Sequence, residues 1–130
     1  MSPPAAAFAR PFLPAKDFEA SKRFYEALGF EKLLDSEVAI FACGGSSSFI
    51  LQAYFDEALA GHLMMQLMVR DLDAWWVHIE GLDLSGRFGV PAPRAPQMQP
   101  WGLKIAYVVD PSGILWHVAE QRPGKIQDGM

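Results

Sequence analysis

The chain has 130 residues, of which 51% are hydrophobic and 20% are charged, and its formal net charge is −4. This length supports one hydrophobic core and is too short for two independent domains, so we predict a single domain over residues 1–130 with flexible tails at 1–7 and 122–130. The mild acidity argues against nucleic acid and anionic membranes as partners.

The same composition bears on the location of the protein. No apolar run reaches the roughly 18 residues of a transmembrane helix, and residues 1–7 lack the basic and apolar regions of a secretory signal. Cys43 is the only cysteine, so no disulfide framework is expected. We therefore predict a cytoplasmic protein.

The first half of the chain is predicted to contain four strands and one helix. An apolar strand over residues 12–15 leads into a helix that Asp17 caps and Gly29 ends. Apolar side chains recur at helical spacing between these two residues. Three further strands are predicted over residues 31–34, 38–42 and 48–54, the last two joined by a hairpin turn at 43–46.

The second half repeats this order. A strand over residues 63–69 precedes a helix from Asp71 to Gly81, in which His78 is expected to be solvated. A weak strand over 84–90 and a proline-rich stretch at 91–100 follow. Strands over 103–109 and 114–119 flank an Asp-Pro-Ser-Gly turn at 110–113, the strongest turn signal in the chain.

A five-residue pattern marks the start of each predicted helix. Residues 16–20 read Lys-Asp-Phe-Glu-Ala and residues 70–74 read Arg-Asp-Leu-Asp-Ala, 54 positions later. The two halves, at about 8–56 and 62–121, are therefore predicted to be copies of one unit that pack against each other. The groove between two such units is a natural place for function.

The two ends of this pattern resemble a known family. Residues 13–21, Phe24-Tyr25, residues 28–30 and residues 110–117 are similar to the vicinal oxygen chelate superfamily, which includes glyoxalase I, extradiol dioxygenases and bleomycin-resistance proteins. The resemblance covers roughly residues 8–121. It implies an α+β fold of two βαβββ modules, whose curved mixed sheets form a cleft that is commonly completed in a homodimer.

The metal-dependent members of that superfamily take their ligands from the first and last strands of each module. The corresponding positions here are Arg10, Gln52, Met64 or Met65, and His117. An arginine side chain does not ligate a metal, and His62 is two or three residues away from the third position. The resemblance therefore predicts neither a metal nor another cofactor in this chain.

A second resemblance concerns the bleomycin-resistance proteins, the branch that binds a drug without metal or catalysis. It rests on Pro11, residues 99–102 and residues 116–120. It implies that Pro11 is a hinge for exchange of the N-terminal strand between subunits and that Trp101 stacks on the flat part of the ligand. The other residues expected to contribute to the ligand-binding surface are Gln52, Gln66, His117, Leu34 and Phe41.

Each of these roles has a structural alternative. Trp101 can instead cap the core, Pro11 can simply shape an edge strand, and a lone strand histidine such as His117 is often a hydrogen-bonded core residue. Gln66 stands where the bleomycin-resistance branch offers an aromatic residue. The chain is also less acidic than expected for a binder of a cationic glycopeptide, so the sequence does not specify the ligand.

The sequence contains no nucleophile elbow, phosphate-binding loop or dinucleotide fingerprint. We therefore interpret the chain as a metal-independent protein that sequesters an aromatic or amphipathic small molecule in a dimer-interface groove, and we assign no catalytic residue. One alternative is a metal-dependent lyase or dioxygenase that uses His117, Gln52 and either His62 or a partner-chain residue. Another is a domain whose groove is filled and that serves only protein assembly.

Overall fold

Two four-stranded sheets form the framework of the protein. A computed structural model of the chain describes residues 2–121. The first module contains β1 (Phe12–Pro14), α1 (Phe18–Leu28), β2 (Glu31–Asp35), β3 (Val38–Gly44) and β4 (Ser47–Gln52). After the short helix α2 (Glu57–Ala60), the second module contains β5 (Met64–Val69), α3 (Leu72–Gly81), α4 (Leu84–Phe88), β6 (Arg94–Met98), β7 (Lys104–Val109) and β8 (Leu115–Glu120). The predicted tail at 122–130 lies outside the described residues.

The two sheets have the same topology. Their strand orders are β1-β4-β3-β2 and β5-β8-β7-β6. In each sheet the first strand pairs parallel with the last, as β1 with β4 and β5 with β8, and the remaining neighbours are antiparallel. The prediction of an α+β fold with two βαβββ modules is therefore confirmed.

The helices begin where the sequence predicts. The side chain of Asp17 accepts a hydrogen bond from the Ala20 amide at 3.0 Å, and that of Asp71 accepts one from the Ala74 amide at 2.9 Å. Such N-caps satisfy backbone donors that the first helical turn leaves free. The longest helix, α1, has 11 residues, and no helix within residues 2–121 is long and apolar enough to cross a membrane.

His78 differs from its prediction. Although exposed on α3, it is not merely solvated, because its Nε2 donates a hydrogen bond to the Leu28 carbonyl oxygen at 2.8 Å. Leu28 is the last residue of α1, and an unpaired carbonyl at a helix C-terminus readily accepts such a donor. The bond therefore connects the helices of the two modules.

The prediction of a strand over residues 84–90 is wrong. These residues form α4, which starts where the Asp83 side chain accepts a hydrogen bond from the Gly86 amide and ends at Gly89 with φ of 68°. The missing strand is β6, which lies inside the proline-rich stretch and contains Pro96. It is an edge strand with an irregular register, and an edge position tolerates a residue that cannot donate a ladder hydrogen bond.

The modules share one core, and aromatic rings lie at its centre. Trp116 of β8 is fully buried, and its ring centroid lies 5.5 to 5.7 Å from those of Tyr25, Phe30 and Phe49 in the first module. Phe41 completes this group by packing on Phe49. Because these contacts join β8 to the first sheet, the modules cannot separate without exposing the core.

A buried polar cluster crosses the same boundary. The Tyr25 hydroxyl donates to Asp110 Oδ2 at 2.6 Å and accepts from Trp116 Nε1 at 3.0 Å. The other carboxylate oxygen of Asp110 accepts the backbone amides of Ser112 and Ile114. Burial raises the pKa of both Asp110 and Tyr25. We call these three side chains the Tyr25–Asp110–Trp116 cluster, and it fixes the 110–113 turn against α1.

Candidate ligand-binding site

One face of each sheet is packed on helices, and in the part of the chain that the structure describes no helix packs on the opposite face. Along β4, Phe49 and Leu51 are fully buried in the core while Ile50 and Gln52 between and beyond them are half-buried. Along β8, Trp116 belongs to the core while its neighbours point to the other side, as strand alternation requires. We call the face that carries Ile50 and Gln52 in the first sheet, and the neighbours of Trp116 in the second, the helix-free face of each sheet.

Four polar or aromatic side chains form one row across the helix-free face of the second sheet. The strand register pairs Gln66 with His117, His117 with Tyr107, and Tyr107 with Arg94. The imidazole and phenol rings pack edge to face, with centroids 4.9 Å apart at 77°. We call Gln66, His117, Tyr107 and Arg94 the polar row. It brings together two residues expected from the sequence, Gln66 and His117, with two that were not.

Of the two residues that were not expected, only Tyr107 could have been found from the turn at 110–113. The backbone amide of Asp110 donates to the Ile114 carbonyl, which sets the register of the β7–β8 hairpin and places Tyr107 opposite His117. Arg94 offered no such signal, because its strand was assigned to the wrong segment. Strand pairing of an edge strand is a tertiary property that local sequence does not encode.

His117 presents a neutral imidazole at physiological pH. Partial burial lowers its pKa below the ordinary value of 6.5. No group within residues 2–121 hydrogen-bonds to the ring, whose packing partner is the Tyr107 phenol. A neutral imidazole offers one donor and one acceptor, so His117 can orient a bound molecule.

Below the polar row lies a small apolar floor. Ile105 and Ala119 are fully buried and pair directly with each other, and Leu103 packs with them. The half-buried side chains of Met68 and Tyr107 cover this group. The floor is separate from the main core, so the helix-free face of the second sheet combines apolar surface with a few aligned polar groups. That combination is typical of small-molecule sites.

The first sheet presents an apolar row at the matching position. Phe12, Ile50, Ile40 and Leu34 are paired across its four strands. Phe12 is 56% exposed and Leu34 is 42% exposed. No helix within residues 2–121 covers this apolar row, and the exposure of its side chains needs an explanation in a folded chain.

Phe41 does not belong to this surface. It is fully buried, and its ring stacks on Phe49 at a centroid distance of 5.8 Å. Leu34 pairs with Ile40, so Leu34 and Phe41 point to opposite faces of the sheet. The expectation that Phe41 contacts a ligand is therefore corrected, because its side chain is part of the core.

The other predicted residues lie at the margins of these faces. Gln52 pairs with Val38 and is half-buried on the helix-free face of the first sheet. Trp101 lies in the turn between β6 and β7 and is 62% exposed. It does not cap the core of this chain. Pro11 directly precedes β1, and its carbonyl oxygen accepts the Ile50 amide at 2.9 Å, so β1 is paired within its own chain.

A cleft of about 480 Å³ lies between the two modules. Its walls are the segment before β1, the β3–β4 hairpin and β5. Gln66 and Met68 line it and also belong to the helix-free face of the second sheet. The cleft is therefore continuous with the polar row, and the two form one candidate site.

At the positions where the sequence resemblance places metal ligands, this chain carries mostly side chains that do not ligate a metal. Arg10 Nε donates a hydrogen bond to Ser48 Oγ at 2.7 Å, and the row neighbours of His117 are an amide and a phenol. Within residues 2–121, no group of three His, Cys, Asp or Glu side chains is arranged to hold a metal ion. His117 alone does not fit a divalent cation, which prefers several such ligands.

Fold and sequence together define the class of protein. The chain belongs to the glyoxalase/bleomycin resistance protein/dioxygenase superfamily, whose family model matches residues 7–118. It is 30% identical over 109 residues to a bleomycin resistance protein of Klebsiella pneumoniae, an alignment that covers 82% of this chain and 86% of that protein.

Solved structures agree with this assignment. A bleomycin-binding protein crystallised with bleomycin is 29% identical and has a TM-score of 0.74, with 90% of this chain and 100% of that chain covered. An antibiotic-binding protein from a Streptomyces species is 25% identical, with a TM-score of 0.71 and coverage of 91% and 98%. The similar proteins thus include ones named for binding antibiotics.

Proposed function

We propose that the protein is a metal-independent binding protein that sequesters an aromatic or amphipathic small molecule in a groove completed by a second copy of the chain. The observation that carries this proposal is the polar row, aligned across an uncovered sheet face beside a cleft. Similarity to bleomycin-binding proteins supports a ligand-binding role. A cytoplasmic location stays a prediction.

Affinity would come mainly from aromatic contacts. The Tyr107 and His117 rings offer edges and faces to a flat ligand, above the floor of Ile105 and Ala119. Trp101 is a large exposed ring at the end of the same sheet, and aromatic rings stack well on flat heterocycles. Gln66 and the neutral His117 would then orient the ligand through hydrogen bonds.

The exposed apolar row of the first sheet supports the dimer in this proposal, because a second copy of the chain would bury it. Burying one large apolar side chain stabilises an association by about 1.5–3 kcal/mol, so covering several of them in both copies offers a substantial driving force. A symmetric partner would cover Phe12 and Leu34 and supply the second wall of the groove. Exchange of the N-terminal strand at Pro11 remains a prediction, since the same β1–β4 pairing can form within or between chains.

The binding test is a fluorescence titration with two probes. N-phenyl-1-naphthylamine is an uncharged aromatic compound, and bleomycin is the compound bound in a similar protein. We expect saturable binding of at least one of them. Trp101→Ala should weaken that binding at least about tenfold, which corresponds to roughly 1.4 kcal/mol. Trp101→Phe is the matched control, because it keeps an aromatic face and should retain most of the affinity.

Two results would contradict the proposal. Unchanged affinity in Trp101→Ala would show that Trp101 does not contact the ligand. Absence of saturable binding would show that the protein does not bind these small molecules. Elemental analysis after incubation with zinc, nickel, manganese and ferrous iron addresses the alternative. Stoichiometric metal that is lost in His117→Ala would make a metal-dependent enzyme the better account.

A further inference from the structure

The cleft has an unusual charge for this chain. Although the protein carries a net charge of −4, the residues that line the cleft include an arginine and no carboxylate. Its polar lining consists of Cys43, Ser47, Ser48, Gln66, Arg70 and Gln121, together with the main chain of the β3–β4 turn. An acidic protein thus presents a cleft with positive charge and neutral hydrogen-bonding groups.

No carboxylate within residues 2–121 forms an ion pair with the arginines around this site. Arg70 and Arg94 have no carboxylate within 4.0 Å among residues 2–121, and Arg10 is held by the Ser48 hydroxyl and by the Phe8 ring. The situation differs on α1 and β2. There Lys22 and Lys32 each pair with Asp35 at 2.9 Å.

The hairpin turn leaves room for a small charged group. Gly44 and Gly45 have φ of 118° and 55°, and nothing lies within 4 Å of the Cβ position at either residue. Both glycines line the cleft. A small group can therefore approach the main chain there, next to the Ser47 and Ser48 side chains. Concave sites with uncompensated positive charge attract anions.

The spacing of the sheet relates this cleft to the polar row. Gln66 lines the cleft and begins the row, and Tyr107 lies two strands away. Neighbouring strands are about 4.8 Å apart, so the distance from Gln66 to Tyr107 across the sheet is roughly 10 Å. This span fits a fused two-ring aromatic compound. Arg70 lies four residues beyond Gln66 along the chain, roughly 13 Å away, so its long side chain must extend back along the strand to meet an acidic substituent.

We propose that the ligand is an aromatic compound that carries an acidic group, such as a carboxylate, sulfonate or phosphate. The anionic group lies in the cleft beside Arg70, and the ring system lies across His117 and Tyr107. This inference rests on the binding function proposed above and adds the charge of the ligand. It distinguishes this chain from a binder of cationic glycopeptides.

Two probes with almost the same ring system test the inference. 8-Anilinonaphthalene-1-sulfonate and N-phenyl-1-naphthylamine differ by one sulfonate. We expect the folded protein to bind the sulfonate at least fivefold more tightly, although the sulfonate makes that probe the more water-soluble of the two. Arg70→Gln should weaken sulfonate binding at least fivefold and change binding of the uncharged probe less than twofold. Arg23→Gln, an exposed arginine on α1, is the matched control and should change neither.

The possible failures are distinguishable. If neither probe nor bleomycin binds, the binding function itself fails, and the charge inference fails with it. If the uncharged probe binds as tightly as the sulfonate, or if Arg70→Gln behaves like Arg23→Gln, the charge inference alone is overturned. Circular dichroism and the melting temperature verify that each variant is folded before its binding is compared, because unfolded protein also binds the sulfonate probe.

Discussion

Removing one oxygen atom tests the connection between the modules. Tyr25→Phe keeps the ring in the aromatic core but deletes the hydroxyl that donates to Asp110 and accepts from Trp116. Tyr25 is fully buried, so water cannot replace it without rearrangement. A hydrogen bond to a carboxylate contributes about 1.5–3 kcal/mol, and an unsatisfied buried N–H costs about 1–3 kcal/mol. We therefore expect the free energy of unfolding to fall by about 3 kcal/mol at pH 7.

The loss should depend on pH with a definite sign. Burial raises the pKa of Asp110 above its usual 3.8, and the Tyr25 hydrogen bond opposes that rise. Without the hydroxyl, the folded-state pKa of Asp110 rises further. A carboxyl whose pKa is raised by folding stays protonated to a higher pH in the folded state than in the unfolded state. The free energy of unfolding therefore falls as the pH rises through that pKa. The destabilisation by Tyr25→Phe should therefore be larger at pH 7 than at pH 4.

Urea unfolding followed by circular dichroism, at one protein concentration, measures both effects. Tyr107→Phe is the matched control, because its hydroxyl has no hydrogen-bond partner within residues 2–121, and we expect a change below about 0.5 kcal/mol. A loss below about 1 kcal/mol for Tyr25→Phe, or a loss that shrinks between pH 4 and pH 7, would refute this account of the cluster.

Two other predictions concern folding stability. Because burial lowers the pKa of His117, the unfolded chain gains a proton before the folded chain does as the pH falls below about 6.5. Urea unfolding should therefore show wild type losing stability relative to His117→Gln between pH 7 and pH 5.5, and a relative gain would contradict this. Gly29 ends α1 with φ of 107°, whereas Gly81 in α3 has no positive φ and open space at its Cβ position. Thermal unfolding should show Gly29→Ala destabilised by about 1 kcal/mol and Gly81→Ala unchanged or slightly stabilised. Equal effects would show that the conformation of Gly29 is not constrained.

Local signals in the sequence predicted the modules because those signals act over a few residues. Asp17 and Asp71 cap their helices through amides three positions later. The turn at 110–113 sets a hairpin register by itself. Because the interacting residues in these caps and this turn are close together in the sequence, the order of strands and helices was largely predictable.

What was missed depends on distant contacts. The hydrogen bond between Tyr25 and Asp110 joins residues 85 positions apart, and no local sequence pattern predicts it. The helix at residues 84–88 is an exception, because the Asp83 cap and Gly89 are local signals that favour it over the predicted strand. By contrast, a register irregularity in β2 sets which face Leu34 occupies, so the different environments of Leu34 and Phe41 could not be predicted.

The groove between two copies is the central claim, and one paired measurement tests it directly. Leu34→Asp places a charge in the apolar row, whereas Val77→Asp places one on α3, where Val77 is 70% exposed. Sedimentation equilibrium and titration with N-phenyl-1-naphthylamine would be performed on both variants and on wild type. We predict that wild type and Val77→Asp are dimers that bind the probe, and that Leu34→Asp is a folded monomer that does not. A folded Leu34→Asp monomer with wild-type affinity, or a monomeric wild type, would contradict the account.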